Sequence, residues 1–192
     1  MAEMKRTDAS IESIEPDLRI HALGAGDPYL AQQWSLWDFN VGMNAVYAWP
    51  TTTGAGVVVA VVDSGVLPHP DLQANLLSGY DFVSTTDVSN DGDGRDADAS
   101  DPGDGVATDF CGAGTAAANS SWHGTHVAGI IAATGYNDIG VAGAAFGAKI
   151  LPVRALGRCG GYLSDLIDGI VWAAGGTVTG VSANTTPARV IN

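Results

Sequence analysis

Glutamate vanishes from this 192-residue chain after Glu15, leaving 3 Glu against 18 Asp. Charge placed only for solubility would use both acids. Aspartate beside many of the 26 glycines instead suggests oxygen ligands held in turns, the manner in which hard cations such as calcium are bound. Basic residues are also scarce, at 8 Lys and Arg, and the net charge of −13 excludes a general nucleic-acid binder because phosphates would be repelled. No apolar run approaches the roughly 20 residues of a membrane-spanning helix, so membrane insertion is not expected. The opening "MAEMKRTDASIESIEPDLRI" lacks the apolar core of a signal peptide, so an export signal would lie upstream of Met1. Cysteine is limited to Cys111 and Cys159, too few for a zinc site without histidine. In an exported protein such a pair points to a disulfide worth about 4 kcal/mol by loop entropy, the alternative being two free thiols.

What is present is enough apolar residue, 46%, for one domain with a real core. Residues 1–23 hold all the glutamate and end at a glycine-containing junction, "HALGAGD", which marks a separate or removable module. Residues 29–50, with Trp34, Trp37 and Trp49, read as an arm packed on a larger body. Val57–Val62 is a continuous β-branched run between glycines, the pattern of a parallel strand buried on both faces. Residues 84–121 are rich in Asp, Gly and Ser without periodicity and read as a long loop, a kind of segment that usually carries function. A helix is expected over 123–133, with Gly124, Ala128 and Gly129 allowing close approach to a sheet, and a strand over 148–156. Helical spacing of Leu163, Leu166, Ile167, Ile170 and Ala174 predicts a helix over 162–174, and "ARVIN" at 188–192 begins another strand. Strands alternating with helices give an α/β fold with a doubly wound parallel sheet.

Reacting groups of open parallel sheets gather at the carboxyl ends of strands, where Asp63 lies. The residue could equally cap the following turn through Ser64 and Gly65. In "SSWHGTHVAGIIAA", residues 120–133, His123 and His126 stand three apart. Zinc peptidases of the HExxH kind need i, i+4 histidines with a glutamate between them, and neither condition is met. A packed core histidine is the ordinary alternative. With Asp63 available to orient an imidazole, a general-base role for one histidine becomes plausible.

"VAVVDSGV" and "HGTHVAGI" resemble the aspartate and histidine motifs of the subtilisin-like serine proteases, in the right order and each with the right flanking element. The resemblance covers most of residues 24–192 and implies a secreted endopeptidase in which Asp63 is the catalytic aspartate and His123 the general base, while His126 packs structurally. "LGRCGGY" resembles the edge that pairs with an extended substrate, placing Leu156, Gly157, Gly160 and Gly161 along the groove for a protein or peptide substrate. The family's nucleophile motif, G-T-S-M-A-x-P, is absent from these residues, and the oxyanion asparagine would also lie beyond residue 192. "ARVIN" resembles the strand that runs on into "SLGG" of the substrate cleft, which implies the amino-terminal part of a longer, incomplete catalytic domain over 24–192. "DASIESIEPDLRIHAL" resembles the end of the family's inhibitory propeptide, making residues 1–23 its carboxyl-terminal tail and that propeptide a partner.

The same resemblance implies calcium. "GDPYL" and "HPDL" match two parts of the family's strong site, giving Asp27 and Asp71, and "TGYNDIGVAG" matches the third, giving the Asn137 side chain and the carbonyls of Thr134, Ile139 and Val141. A second candidate rests on the residues themselves: "DVSNDGDGRDADASDPGDGVATD" has eight Asp in 23 residues, with Arg95 the only basic residue. Asp91, Asp93, Asp96 and Asp98 recur every two or three positions, as in calcium loops, and carboxylates this dense repel one another without a cation. The spacing is not that of an EF-hand. Asp81, in "GYDF", matches a weaker family position and could join. Two other classes stay open: a calcium-dependent binding module without catalysis, and a nucleotide-binding α/β domain. The latter lacks a G-x-G-x-x-G turn after Val62.

Overall fold

The computed structural model describes residues 26–192. The segment 1–23, read as a propeptide tail, lies outside the described residues. Strand β1 (Val58–Asp63) forms the centre of a sheet with β2 (Tyr80–Asp81), β3 (Lys149–Arg154) and β4 (Val190–Ile191), in the order β2-β3-β1-β4. Every pairing is parallel. The β1–β3 register runs from Val58 opposite Lys149 to Asp63 opposite Arg154, and Asp81 lies beside Arg154 on the other side. Three strands therefore bring two aspartates and an arginine to the same carboxyl-terminal edge.

The apolar run of β1 is explained by cover on both faces. Val59 and Val61 pack with Ile150 and with Ala128 and Ala132 of a helix on one side. Ala60 packs with Leu151, Val153, Phe82 and Trp172 on the other. The first helix is the long one after the acidic loop, spanning His123–Ala132; the second spans Leu163–Ala173. Three shorter helices precede them, so in chain order the helices are α1 (Trp34–Trp37), α2 (Ala45–Ala48), α3 (Thr86–Ser89), α4 (His123–Ala132) and α5 (Leu163–Ala173). The doubly wound α/β architecture is as the sequence predicts. α4 presents Gly124, Ala128 and Ala132 to the sheet at i, i+4 spacing, with Ala132 replacing the expected Gly129.

The arm over 29–50 packs as expected. Leu30, Leu36, Ala45 and Trp49 form a third cluster with Ala142. Gln33 clips the arm to the loop after α4 twice, donating to the Ala142 carbonyl and accepting its N–H, each at 2.8 Å. The helix expected over 162–174 is α5. The buried residues are Asp165, Gly169, Trp172 and Ala173, whereas Leu163, Ile167 and Ile170 are exposed. Both sides of this helix are apolar, so periodicity finds the helix without finding its inner face. Among the described residues no helix is long and apolar enough to cross a membrane.

Phe82 is fully buried and its ring lies 5.1 Å from Tyr80 and 5.8 Å from Trp172. Phe82→Ala is expected to lower stability by roughly 3–5 kcal/mol, the range for buried aromatic truncation, read by denaturant unfolding.

Candidate active site

β1 ends by delivering the Asp63 carboxylate to a nearly closed position, 6% exposed. The backbone fixes that position: the Asp63 carbonyl accepts N–H bonds from Ala155 at 2.9 Å and Leu156 at 3.1 Å, just past β3. The Ser64 N–H donates to Asp63 Oδ1 at 2.7 Å. His123 Nδ1 lies 2.9 Å from Oδ1 and 2.8 Å from Oδ2. A carboxylate can only accept, so the proton of this contact sits on Nδ1. In the neutral ring Nε2 is then the acceptor, on a side chain that is 61% exposed.

α4 starts where it does because Trp122 adopts a left-handed conformation, φ 52°, that turns the chain into the helix. Gly124 must be glycine, since a Cβ there would come within 2.2 Å of the Gly65 carbonyl oxygen. The Gly124 N–H is capped by Ser64 Oγ at 3.1 Å, and Thr125 Oγ1 accepts the Leu67 N–H at 2.9 Å. The helix start is thus laced to the turn that follows Asp63. His126 is a correction: it is exposed on α4 and not packed. A side chain at i+3 from an exposed His123 shares its face.

The segment expected at the substrate edge folds into a tight turn. Gly157 and Gly160 exchange both backbone hydrogen bonds, 2.8 and 3.2 Å, and Cys159 and Gly160 have φ of 63° and 99°. Leu156, Gly157, Gly160 and Gly161 are therefore neighbours around a hairpin tip. The tip is tied to the acidic loop by the Cys111–Cys159 disulfide and by the Arg158 N–H, which donates to the Val88 carbonyl at 2.9 Å. The Arg158 guanidinium also lies 5.2 Å from the Phe110 ring centroid.

Asp27, Asp71 and Asn137 come together as their family resemblance implies. Asp27 accepts the N–H groups of Tyr136 at 2.8 Å and Asn137 at 3.1 Å. Asp71 accepts from Asn137 Nδ2 at 2.8 Å and from the Val141 N–H at 2.9 Å, while its own carbonyl accepts the Thr134 N–H at 2.7 Å. The Ile139 N–H donates to Asn137 Oδ1 at 2.9 Å. Both aspartates are buried, and among the described residues neither forms an ion pair. Two buried carboxylates from distant segments thus meet the same loop, held by N–H donors and without a cation.

The acidic loop is organised differently from its expectation. Its Arg95 faces α5, bonding Asp165 at 2.6 Å and Asp168 at 2.7 Å. The cation that enters the loop is Arg154, from the end of β3, buried between Asp81 and Asp91 and donating also to the Ser89 carbonyl. Burial pushes the Asp81 carboxyl up to about 7, against the pull of the Val83 N–H and Arg154. Asp96 and Asp98 cap turns within the loop, accepting the N–H groups of Asp98 at 2.8 Å and Ser100 at 3.0 Å, and the Asp93 N–H donates to Asp91 Oδ1 at 3.3 Å. Among the described residues no three His, Cys, Asp or Glu side chains converge closely enough to hold a metal. Sequence reasoning missed Arg154 altogether. Its one signal was a lone basic residue closing the apolar run "ILPVR".

With this geometry established, comparison with known proteins gives the class. The sequence profile of the subtilase family matches residues 54–192, and the chain belongs to that family of serine proteases. It is 54% identical over 186 residues to an extracellular protease of Xanthomonas campestris pv. campestris, covering 96% of this chain and 32% of that one. It is 46% identical over 192 residues to the extracellular basic protease of Dichelobacter nodosus, covering 97% and 32%. Among solved structures, a protease of Pseudoalteromonas arctica matches with TM-score 0.85 and 57% identity, over 86% of this chain and 49% of that one. The chain spans about a third of the length of the curated relatives it matches.

Asp104 offers a test of how the acidic loop reaches the site. Its carboxylate accepts the Ser121 N–H at 2.6 Å and the Ser121 hydroxyl at 2.7 Å, two residues before His123. Partial burial raises its pKa, but the two Ser121 hydrogen bonds outweigh this and hold it below the usual carboxylate range. A depressed pKa contributes stability that is present above the unfolded value of about 3.9 and lost as pH falls through the folded one. Asp104→Asn is expected to cost about 1 kcal/mol at pH 7, limited by solvent screening. That deficit fades as the pH falls through the depressed pKa of the folded carboxyl, seen as converging unfolding temperatures.

Proposed function

We propose that this chain supplies the aspartate–histidine half of a Ser-His-Asp triad in a secreted serine endopeptidase. The observation that carries the reading is the pair itself: Asp63 holds the Nδ1 side of a His123 side chain that is otherwise largely exposed. In the full-length protein a serine, expected outside residues 1–192, attacks the peptide carbonyl. His123 takes its proton at Nε2 and passes it to the leaving amine, and Asp63 stabilises the imidazolium that forms. The substrate is a protein or peptide held in extended form near Leu156, Gly157, Gly160 and Gly161, with main-chain hydrogen bonds supplying much of the grip. Residues 1–23 act as the end of an inhibitory propeptide. The extracellular relatives and the disulfide support the secreted location.

The full-length protein is expected to cleave a chromogenic peptide and to be blocked by a serine-directed inhibitor, whereas residues 1–192 alone show no turnover. Asp63→Asn lowers kcat by about 10⁴. Turnover that survives Asp63→Asn and His123→Ala undiminished would overturn the reading, as would serine-directed inhibition of the 192-residue chain.

Calcium belongs to the same proposal. Asp27, Asp71 and Asn137, with the carbonyls of Thr134, Ile139 and Val141, form the oxygen set that holds the ion, which supplies positive charge where two buried carboxylates lack it. In the acidic loop Arg154 already serves Asp81 and Asp91, leaving Asp93, Asp96 and Asp98 as the remaining ligand candidates. Removing calcium with a chelator is expected to lower the unfolding temperature, by an amount equivalent to about 2.7 kcal/mol if free calcium was at 100 times its dissociation constant. Asp71→Asn should abolish most of this dependence, and an unchanged chelator response in that variant counts against the site.

A further inference from the structure

Ser64 bonds both to Asp63 and to the start of the helix that carries His123. Its N–H donates to Asp63 Oδ1 at 2.7 Å. Its hydroxyl donates to Asp101 Oδ2 at 2.8 Å and its Oγ accepts the Gly124 N–H at 3.1 Å, one residue past His123. Asp101 comes from the acidic loop and is 3% exposed. Its other oxygen accepts the Gly103 N–H at 2.8 Å, and among the described residues no cation pairs with it. A buried carboxylate is costly to keep unless its hydrogen bonds are made, and nothing in the proton-transfer chemistry of Asp63 and His123 requires this one.

Its effect follows from donor and acceptor inventory. The Ser64 hydroxyl has a single proton, and donating it to Asp101 Oδ2 commits it. The Ser64 lone pairs are then left for the Gly124 N–H, so Asp101 fixes the hydroxyl that holds the backbone next to His123 against the residue next to Asp63. The neighbouring backbone holds this arrangement tight. The Val66 N–H donates to the Ala99 carbonyl at 3.1 Å, and a Cβ on Gly65 would lie 2.7 Å from that carbonyl oxygen and 2.9 Å from the Asp101 nitrogen. We infer that Asp101 is a positioning residue for the Asp63–His123 pair, acting through the Ser64 hydroxyl. The inference rests on the proposed general-base role of His123.

The test uses the full-length protein and its Asp101→Asn, Ser64→Ala, Ser64→Thr and Asp101→Asn/Ser64→Ala forms. Misplacement of a catalytic group by an ångström costs up to about 10²-fold, so a partial release here should lower kcat roughly tenfold with KM within about twofold. Residues acting in one chain are not additive, so the double variant falls no further than Ser64→Ala alone. Ser64→Thr, which retains the hydroxyl, loses less. A lowered unfolding temperature with unchanged kcat, or additive losses in the double variant, would overturn the inference and leave the peptidase reading standing. If the wild-type protein shows no turnover, the peptidase reading fails, and the positioning role is decided by proton NMR. The His123 Nδ1 proton then exchanges faster in Asp101→Asn than in wild type if Asp101 positions the pair, and an unchanged exchange rate rejects it.

Discussion

A charged carboxylate at the closed end of a central strand is the constraint on which this structure turns. Asp63 is buried at the carboxyl edge of β1, and a buried charge without partners is among the costliest features a domain can carry. The chain meets that cost from three directions. The segment after β3 ties down the Asp63 carbonyl, the next residue donates its own N–H, and a helix beginning 60 residues later brings the His123 ring to both oxygens. The small residues of α4 serve the same end, because only Gly124 lets the helix start come so close to the turn at Gly65. Packing and chemistry are one requirement here: the sheet–helix contact that builds the core also sets the imidazole.

The other buried aspartates show that the fold solves this problem repeatedly and by different means. Asp165 takes the Arg95 guanidinium and Asp81 takes Arg154. Asp27, Asp71 and Asp101 are satisfied by amides and a hydroxyl. Guanidinium pairing anchors the acidic loop to β3 and α5. The loop as a whole is therefore a connector. It links the hairpin tip at Cys159, the end of β3 and the turn after Asp63, and its charge density reflects how many such ties it makes.

Much of this was legible in the sequence, and the failures have a common cause. The apolar run ending in Asp63 marked a doubly covered strand, and two short motifs marked the pair whose side chains meet. What local pattern could not supply was which partner a charge would find. Arg95 sits inside the acidic loop yet turns to α5, while Arg154, distant in sequence, enters the loop. Asp101 is 37 residues from Ser64, and no spacing rule connects them. His126, implied to pack, lies instead on the outward side of a small-residue helix that leaves such positions free. Fold class came from composition and period; charge pairing came only from topology.

The account stands most directly on the protonation of one ring. Nitrogen-15 NMR of the neutral His123 ring should show Nδ1 carrying the proton and Nε2 bare, and the preference should be lost in Asp63→Asn. A proton resident on Nε2 in the wild-type protein, or a tautomer indifferent to Asp63, would contradict it.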